Sequence, residues 1–221
     1  MRHRRTGVLL ALVAVLAMSA VVTSAASAAA PEFKPATKQV FSGTSGALTI
    51  QNSATNEITC SKETSTGEIT SATTVGGVVL TLTGCESPEQ GGCKLTSEGA
   101  KNLGEIVTNA LKGVLGTVKT SEAASGVGLL LEPASGSVWA KIEGCITDWT
   151  LEGNLAAEVT PIKTLSKTGK LVFVGKDGHE AIRGIVVGGK TEKPELLLHG
   201  GLISWSTTET LTFKSNALEV T

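Results

Sequence analysis

Apolar and polar residues alternate with a period of two along much of this chain. Short β-prone runs recur at 47–51, 57–61, 68–71, 78–83, 127–131, 138–142, 171–174, 182–187, 196–198 and 207–213. Gly, Ser, Asn or Pro separates the runs. Threonine alternates with Ile, Leu or Val in several of them, the pattern of a strand with one wet face. Asp177-Gly178 sits between two such runs and predicts a hairpin, because both residues tolerate positive φ. Many short strands with tight turns predict an all-β fold, a single-domain β-sandwich or barrel.

One stretch reads two ways. Leu103, Ile106, Val107, Ala110, Leu111, Val114 and Leu115 recur at helical spacing. Gly104, Gly113 and Gly116 weaken a helix there, each by about 1 kcal/mol relative to Ala. The favoured reading is two strands, 104–109 and 111–118, with at most a short helical turn near 97–103.

The N-terminus is organised differently. Arg2, Arg4 and Arg5 precede an uncharged apolar run over 7–22, and small residues follow to Ala30. This is the layout of a secretory signal peptide over 1–28, with Ala26 and Ala28 at the −3 and −1 positions of the cut. Cleavage after Ala30 is a second choice but places Pro31 directly behind the cut. A retained anchor is disfavoured because about 16 apolar residues fall short of the roughly 20 that span a bilayer. The expected organisation is a signal peptide over 1–28, a flexible lead-in over 29–37 and one domain over 38–221, with no transmembrane span after cleavage.

Export changes the reading of charge. Loss of three arginines from the 19 Lys+Arg leaves 16 against 20 Asp+Glu, a charge of about −4. Such a chain, with no basic cluster in its sequence, is a poor candidate for nucleic acid or an anionic membrane. There is no Tyr, and the aromatics are four Phe and three Trp, few for sugar or base stacking. Asp148 and Asp177 are the only aspartates, which limits metal sites.

Cys60, Cys85, Cys93 and Cys145 all lie in the exported part. An even count in an oxidising compartment predicts two disulfides, with three possible connectivities. The expected pairing is Cys85–Cys93 across the short polar loop 86–92, and Cys60–Cys145 between distant strands. The spacings lack the close pairs of a zinc site, so no metal is expected.

Candidate chemistry is sparse. Gly184 to Thr191 matches the phosphate-loop expression GxxxxGK[ST]. However, Ile185, Val186 and Val187 read as a strand, and Pro194 blocks a long helix, so a strand ending in a Gly-Gly-Lys turn is expected instead of a nucleotide site. His179 and His199 read as turn and strand-end residues, and there is no Gly-x-Ser-x-Gly elbow. Glu132, Glu143, Glu152 and Glu158 are available for a carboxylate pair, but no spacing joins two across a cleft. Asp177, His179 and Glu180 lack the ligand count of a metal loop. No catalytic residue and no cofactor is therefore expected. Trp139 reads as core. Trp149 and Trp205 are the ligand-contact candidates if exposed.

Several segments together resemble a family of secreted actinobacterial proteins to which no activity is assigned. They are 58–60, 67–69, 74–76, 82–85, Cys93, 104–109, 111–116, 144–145, 159–162 and 206–213. The resemblance spans most of the mature chain. Relatives often carry proline where Ala110 stands, which implies a break between two strands. This chain departs at Thr117-Val118, where an aromatic is usual, so no aromatic-lined site carries over. The expected function is a non-enzymatic secreted or envelope-associated binding or structural module. Its partner would be a cell-wall or extracellular polymer or another surface protein. The alternatives are a secreted hydrolase or carbohydrate-acting enzyme whose site assembles only in the fold, and a barrel that carries a lipid or small ligand.

Overall fold

The computed structural model describes residues 29–53, 55–119 and 124–221. The signal peptide expected over 1–28 lies outside the described residues. Eight antiparallel strands close a barrel: β1 (Gln39–Ser45), β2 (Lys62–Ile69), β3 (Thr74–Thr83), β4 (Leu111–Lys119), β5 (Ala124–Pro133), β6 (Leu155–Thr160), β7 (Thr168–Phe173) and β8 (Gly201–Phe213). Each pairs with the next, and β8 returns to β1 through Phe41↔Phe213 and Thr44↔Thr210. The barrel is therefore a simple up-and-down meander, and closure leaves none of these strands with a free edge along its paired length. It resolves the choice left open between sandwich and barrel.

The connections are asymmetric. At one end, the base, β2 joins β3 through residues 70–73 and β6 joins β7 through the loop 161–167, and the described ends of β4 and β5 lie there too. At the other end four long insertions, 46–61, 84–110, 134–154 and 174–200, build a cap. Its short strands run in the order Thr96–Ser97, Val138–Glu143, Trp149–Gly153, Leu196–Leu198, the first half of β8, Leu48–Gln51, Asn56–Cys60, Glu86–Ser87 and Cys93–Lys94. The two ends of that series are separated only by Leu95, so the cap sheet curves back on itself. β8 is shared, its first half in the cap and its second half in the barrel.

Alternation explains the interior. On β8, Glu209, Leu211 and Phe213 point inward, while Thr208, Thr210 and Thr212 face water. One apolar core runs through barrel and cap. Trp205 stands at their junction, 6.3 Å from Trp139 and 6.5 Å from Phe173 between ring centroids. A smaller outer core forms where Gly184–Val187 pairs alongside β4 and covers Val118, Leu130 and Ala156. Gly116 makes this approach possible, since a Cβ there would lie 2.7 Å from the Val186 carbonyl oxygen.

The run at 103–118 is two strands, Glu105–Val107 and β4, as the glycines predict. No α-helix occurs among the described residues, and none of their helices is long and apolar enough to cross a membrane. The stretch 97–103, for which at most a short helical turn is expected, contains no helix. That segment is a series of turns closed by Ala100 N–H to Ser97 O and Glu105 N–H to Asn102 O, and the single 3-10 turn is Pro88–Gln90. The expected lead-in, 29–37, contains one short paired strand. Phe33–Lys34 pairs with Glu219–Val220, and Phe33 is buried at the base, because its ring has the open barrel end to fill.

The disulfide pairing differs from expectation. The bonds are Cys60–Cys85 and Cys93–Cys145, not Cys85–Cys93 and Cys60–Cys145. Strand pairing is the reason. Thr59 lies opposite Glu86, which brings the Cα atoms of Cys60 and Cys85 within 4.0 Å. The loop 88–92 needs no bridge, because the backbone bond from Gly92 N–H to Ser87 O already closes it. Cys93 then reaches across the cap seam to Cys145, 5.8 Å away between Cα atoms. Two disulfides fit an oxidising, extracellular setting.

Candidate functional site

Two places collect groups with chemistry: a set of open clefts on the cap, and a sealed carboxyl cluster inside the barrel. The clefts are built by three tight turns. Gly175–Lys176 and His179–Glu180 form the predicted hairpin, with Asp177 at φ 53° and Gly178 at φ 74°. This tip docks closely against the 52–53 turn, and a Cβ on Gly178 would lie 2.9 Å from the Ser53 amide nitrogen. The second turn is held by Asn52, which accepts from Thr55 N–H at 2.8 Å and donates to the Glu57 carboxylate. The third joins Leu196–Leu198 to β8 through His199 at φ 50° and Gly200 at φ 78°. A non-glycine residue in this region costs of the order of 1 kcal/mol, and such positions cluster at functional sites.

These turns bound two adjoining clefts that share Asn52, Gly201 and Leu202. One, of about 380 Å³, has Asp177 and His179 on its walls. The other, of about 190 Å³, has Glu57, His199 and Trp149. A third of about 110 Å³ begins on the other side of His179 and reaches Arg183 and Lys193. Both histidines among the described residues, one of their two aspartates and an edge of Trp149 thus meet on one face. Trp149 is 9% exposed. Trp205, the other ligand-contact candidate, is wholly buried and makes no surface contact, because it fills the junction of cap and barrel.

Beneath the clefts lies Glu180. It accepts the Trp205 backbone N–H at 2.7 Å, and its other oxygen has no partner. Burial pushes its carboxyl up to about 8, partly offset by that N–H. His179 and Glu180 point to opposite faces of the hairpin, one exposed and one buried, so Asp177, His179 and Glu180 do not converge on one point. Among the described residues no three His, Cys, Asp or Glu side chains come together as a metal cage.

The barrel cluster escaped the sequence reading. Glu63 of β2 and Glu209 of β8 both point into the lumen and are each 1% exposed. Ser45 donates to Glu63 at 3.1 Å, and Ser65 donates to Glu209. Gly43 leaves the room they need, because a side chain there would occupy the Glu209 carboxyl. Burial raises Glu63 to about 8, and the neighbouring Glu209 adds to the rise. Burial also raises Glu209 itself. The signal was present in the alternation: Glu63 shares a face with Ser65, Gly67 and Ile69, and Glu209 with Leu211 and Phe213. The carboxylates weighed from sequence, Glu132, Glu143, Glu152 and Glu158, lie on outer surfaces, with Glu132 paired to Lys112 at 3.2 Å.

The remaining expectations fall into place without a site. The phosphate-loop string is a hairpin, Gly184–Val187 and Lys190–Glu192 around Gly188-Gly189. It begins no helix, so the N-terminal dipole that such chemistry needs is missing. Trp139 is core, its indole N–H donating to Gly153 O at 2.8 Å. Comparison with protein-family models, with curated proteins and with solved structures found no match for this chain.

Proposed function

We propose that the chain is a non-enzymatic module exported from the cytoplasm, whose cap holds a polar polymer of the cell envelope or medium. A related proposal is membership of the secreted actinobacterial family it resembles. One observation carries the functional reading. The polar side chains Asn52, Glu57, Asp177, His179 and His199, with the Trp149 edge, line open clefts on one face of a twice-bridged cap. Adjoining shallow clefts suit an extended ligand that lies along a surface.

The alternatives are less well supported. A barrel that carries a lipid or small ligand in its lumen needs a cavity there of roughly 300 Å³ or more. The apolar cavity at the barrel base measures about 30 Å³, room for about one water-sized group. A carboxylate-based hydrolase needs two acids open to one substrate, whereas Glu63 and Glu209 are sealed among core side chains and the open acids Glu57 and Asp177 line separate clefts.

The test is retention of residues 29–221 on insoluble cell-wall polysaccharide and on culture polysaccharides, beside His199→Gly. Glycine relieves the positive φ at 199, so the variant is expected to keep or gain up to about 1 kcal/mol of stability. Its retention is expected to fall several-fold. Absence of retention on every polymer, or equal retention of the variant, would overturn the cleft assignment. Release of reducing sugar ends would transfer the protein to the enzyme class.

A further inference from the structure

The base of the barrel carries a second surface, independent of the cap. The loop 161–167 between β6 and β7 holds two large aliphatic side chains in solvent, Ile162 at 38% and Leu165 at 64% exposure. Behind the loop lies the apolar barrel end, where Phe33, Phe213, Leu218 and Val220 line the small cavity together with Pro161 and Thr164. Ile162 and Leu165 thus stand in solvent directly beside an apolar barrel end.

Charge says which partner fits. Lys34, Lys163, Lys167, Lys170 and Lys214 are all exposed and belong to the elements that close this end. Lys167 reaches the Ser215 carbonyl at 3.0 Å, tying the loop to the segment after β8, and Lys170 lines the cavity rim. No acidic residue occurs from 159 to 176. Glu32 and Glu219 are the acids of the terminal ribbon, and the nearby Lys38 and Glu68 pair with each other at 3.2 Å. With exposed Glu158 of β6 counted beside Glu32 and Glu219 against the five lysines, the described residues of this end are still net basic although the chain as a whole is weakly acidic. These lysines are scattered in sequence, and only barrel closure gathers them.

We infer that the base docks on an anionic lipid surface. Ile162 and Leu165 enter the boundary between head groups and acyl chains, and the lysines face the anionic head groups. The loop carries aliphatic tips within a lysine collar, the combination by which peripheral proteins hold to bilayers. The expectation drawn from net charge, that this chain avoids anionic membranes, gives way to the distribution of that charge.

The test is co-sedimentation of residues 29–221 with vesicles at 0.1 M salt. One set is pure phosphatidylcholine, and the other contains about one third phosphatidylglycerol. Removing the leader matters, because its own apolar run would bind lipid. Binding is expected only to the anionic vesicles, with strong weakening at 0.5 M salt. Ile162→Ser with Leu165→Ser is expected to lose roughly tenfold or more in affinity. Each lysine changed to Ser at 163 or 167 is expected to lose about 5-fold, the equivalent of roughly 1 kcal/mol per basic residue near such a surface. All four positions are exposed, so an unchanged melting temperature verifies the fold. Failure to bind anionic vesicles overturns the inference, as does equal binding by the double aliphatic variant. So does concentration-dependent dimerisation that Leu165→Ser abolishes without vesicle binding, which would assign the base to a second copy of this chain. None of these outcomes touches the polymer reading of the cap.

Discussion

Replacing Glu63 with Gln offers a direct measure of what the sealed carboxyls cost. The side chain is buried in the lumen with Glu209 beside it, and its carboxyl is raised from 4.5 to about 8. Between those values the folded barrel holds a proton that the unfolded chain has lost. The stability contributed by the neutral acid is therefore complete below pH 4.5 and is lost progressively as pH rises towards 8. At pH 7 a free glutamate has gained about 3 kcal/mol from ionisation that the buried one forgoes. Gln keeps the size and hydrogen-bonding character of the neutral acid but cannot ionise in either state. Glu63→Gln should therefore match the parent within about 1 kcal/mol at pH 4.5 and exceed it by on the order of 3 kcal/mol at pH 7. For a domain of this size that corresponds to a melting temperature higher by roughly 6–12 °C. Thermal unfolding followed by circular dichroism at pH 4.5, 6, 7 and 8 reads both curves. Glu180 and Glu209 remain in the variant, so its stability should still decline with pH, but less steeply. Parallel curves would refute the reasoning. A variant weaker than the parent at pH 7 would also refute it, since it would mean that Glu63 is ionised and held by a cation.

The other predictions concern fixed geometry. Gly43→Ala places a methyl group in the Glu209 carboxyl and should destabilise the barrel by about 1–3 kcal/mol, read as a lowered denaturation midpoint with an unchanged m-value. Peptide mapping without reductant should recover Cys60 joined to Cys85 and Cys93 joined to Cys145, and a Cys85–Cys93 peptide would contradict the cap seam. Removing the Cys93–Cys145 bridge, which spans 52 residues, should cost about 4 kcal/mol by chain entropy, slightly more than removing the 25-residue bridge.

Local features were legible in the sequence. Period-two runs, Asp177-Gly178 and Gly188-Gly189 each specify structure within a few residues, and the structure agrees with them. The two-strand reading of 104–118 succeeded because glycines at 104, 113 and 116 oppose a helix. Features set by which strand lies beside which were not legible. Cys85 stands closer in sequence to Cys93, yet Cys60 lies across from it, because residues 56–60 pair with 86–87. The cap clefts depend on three turns far apart in sequence. The base lysines come from both chain ends and the 161–170 stretch. Glu63 and Glu209 were partly legible, since each occupies the inward phase of its alternation where an apolar residue is the rule.

The shared strand β8 has a consequence for the order of folding. It is the last barrel strand in the chain, yet both the barrel and the cap need it to close. All four cysteines precede it. A chain emerging N-terminus first can therefore begin oxidising its thiols while Gly201–Phe213 is still absent, when only the pairing of neighbouring strands guides the choice of partner. Cys60 and Cys85 have that guidance early, from strands 56–60 and 86–87. Cys93 and Cys145 gain theirs once 138–143 lies against 96–97. Closure of both sheets then becomes one late, long-range event, which is expected to make folding slow for the chain's size and to produce a single cooperative transition for cap and barrel together.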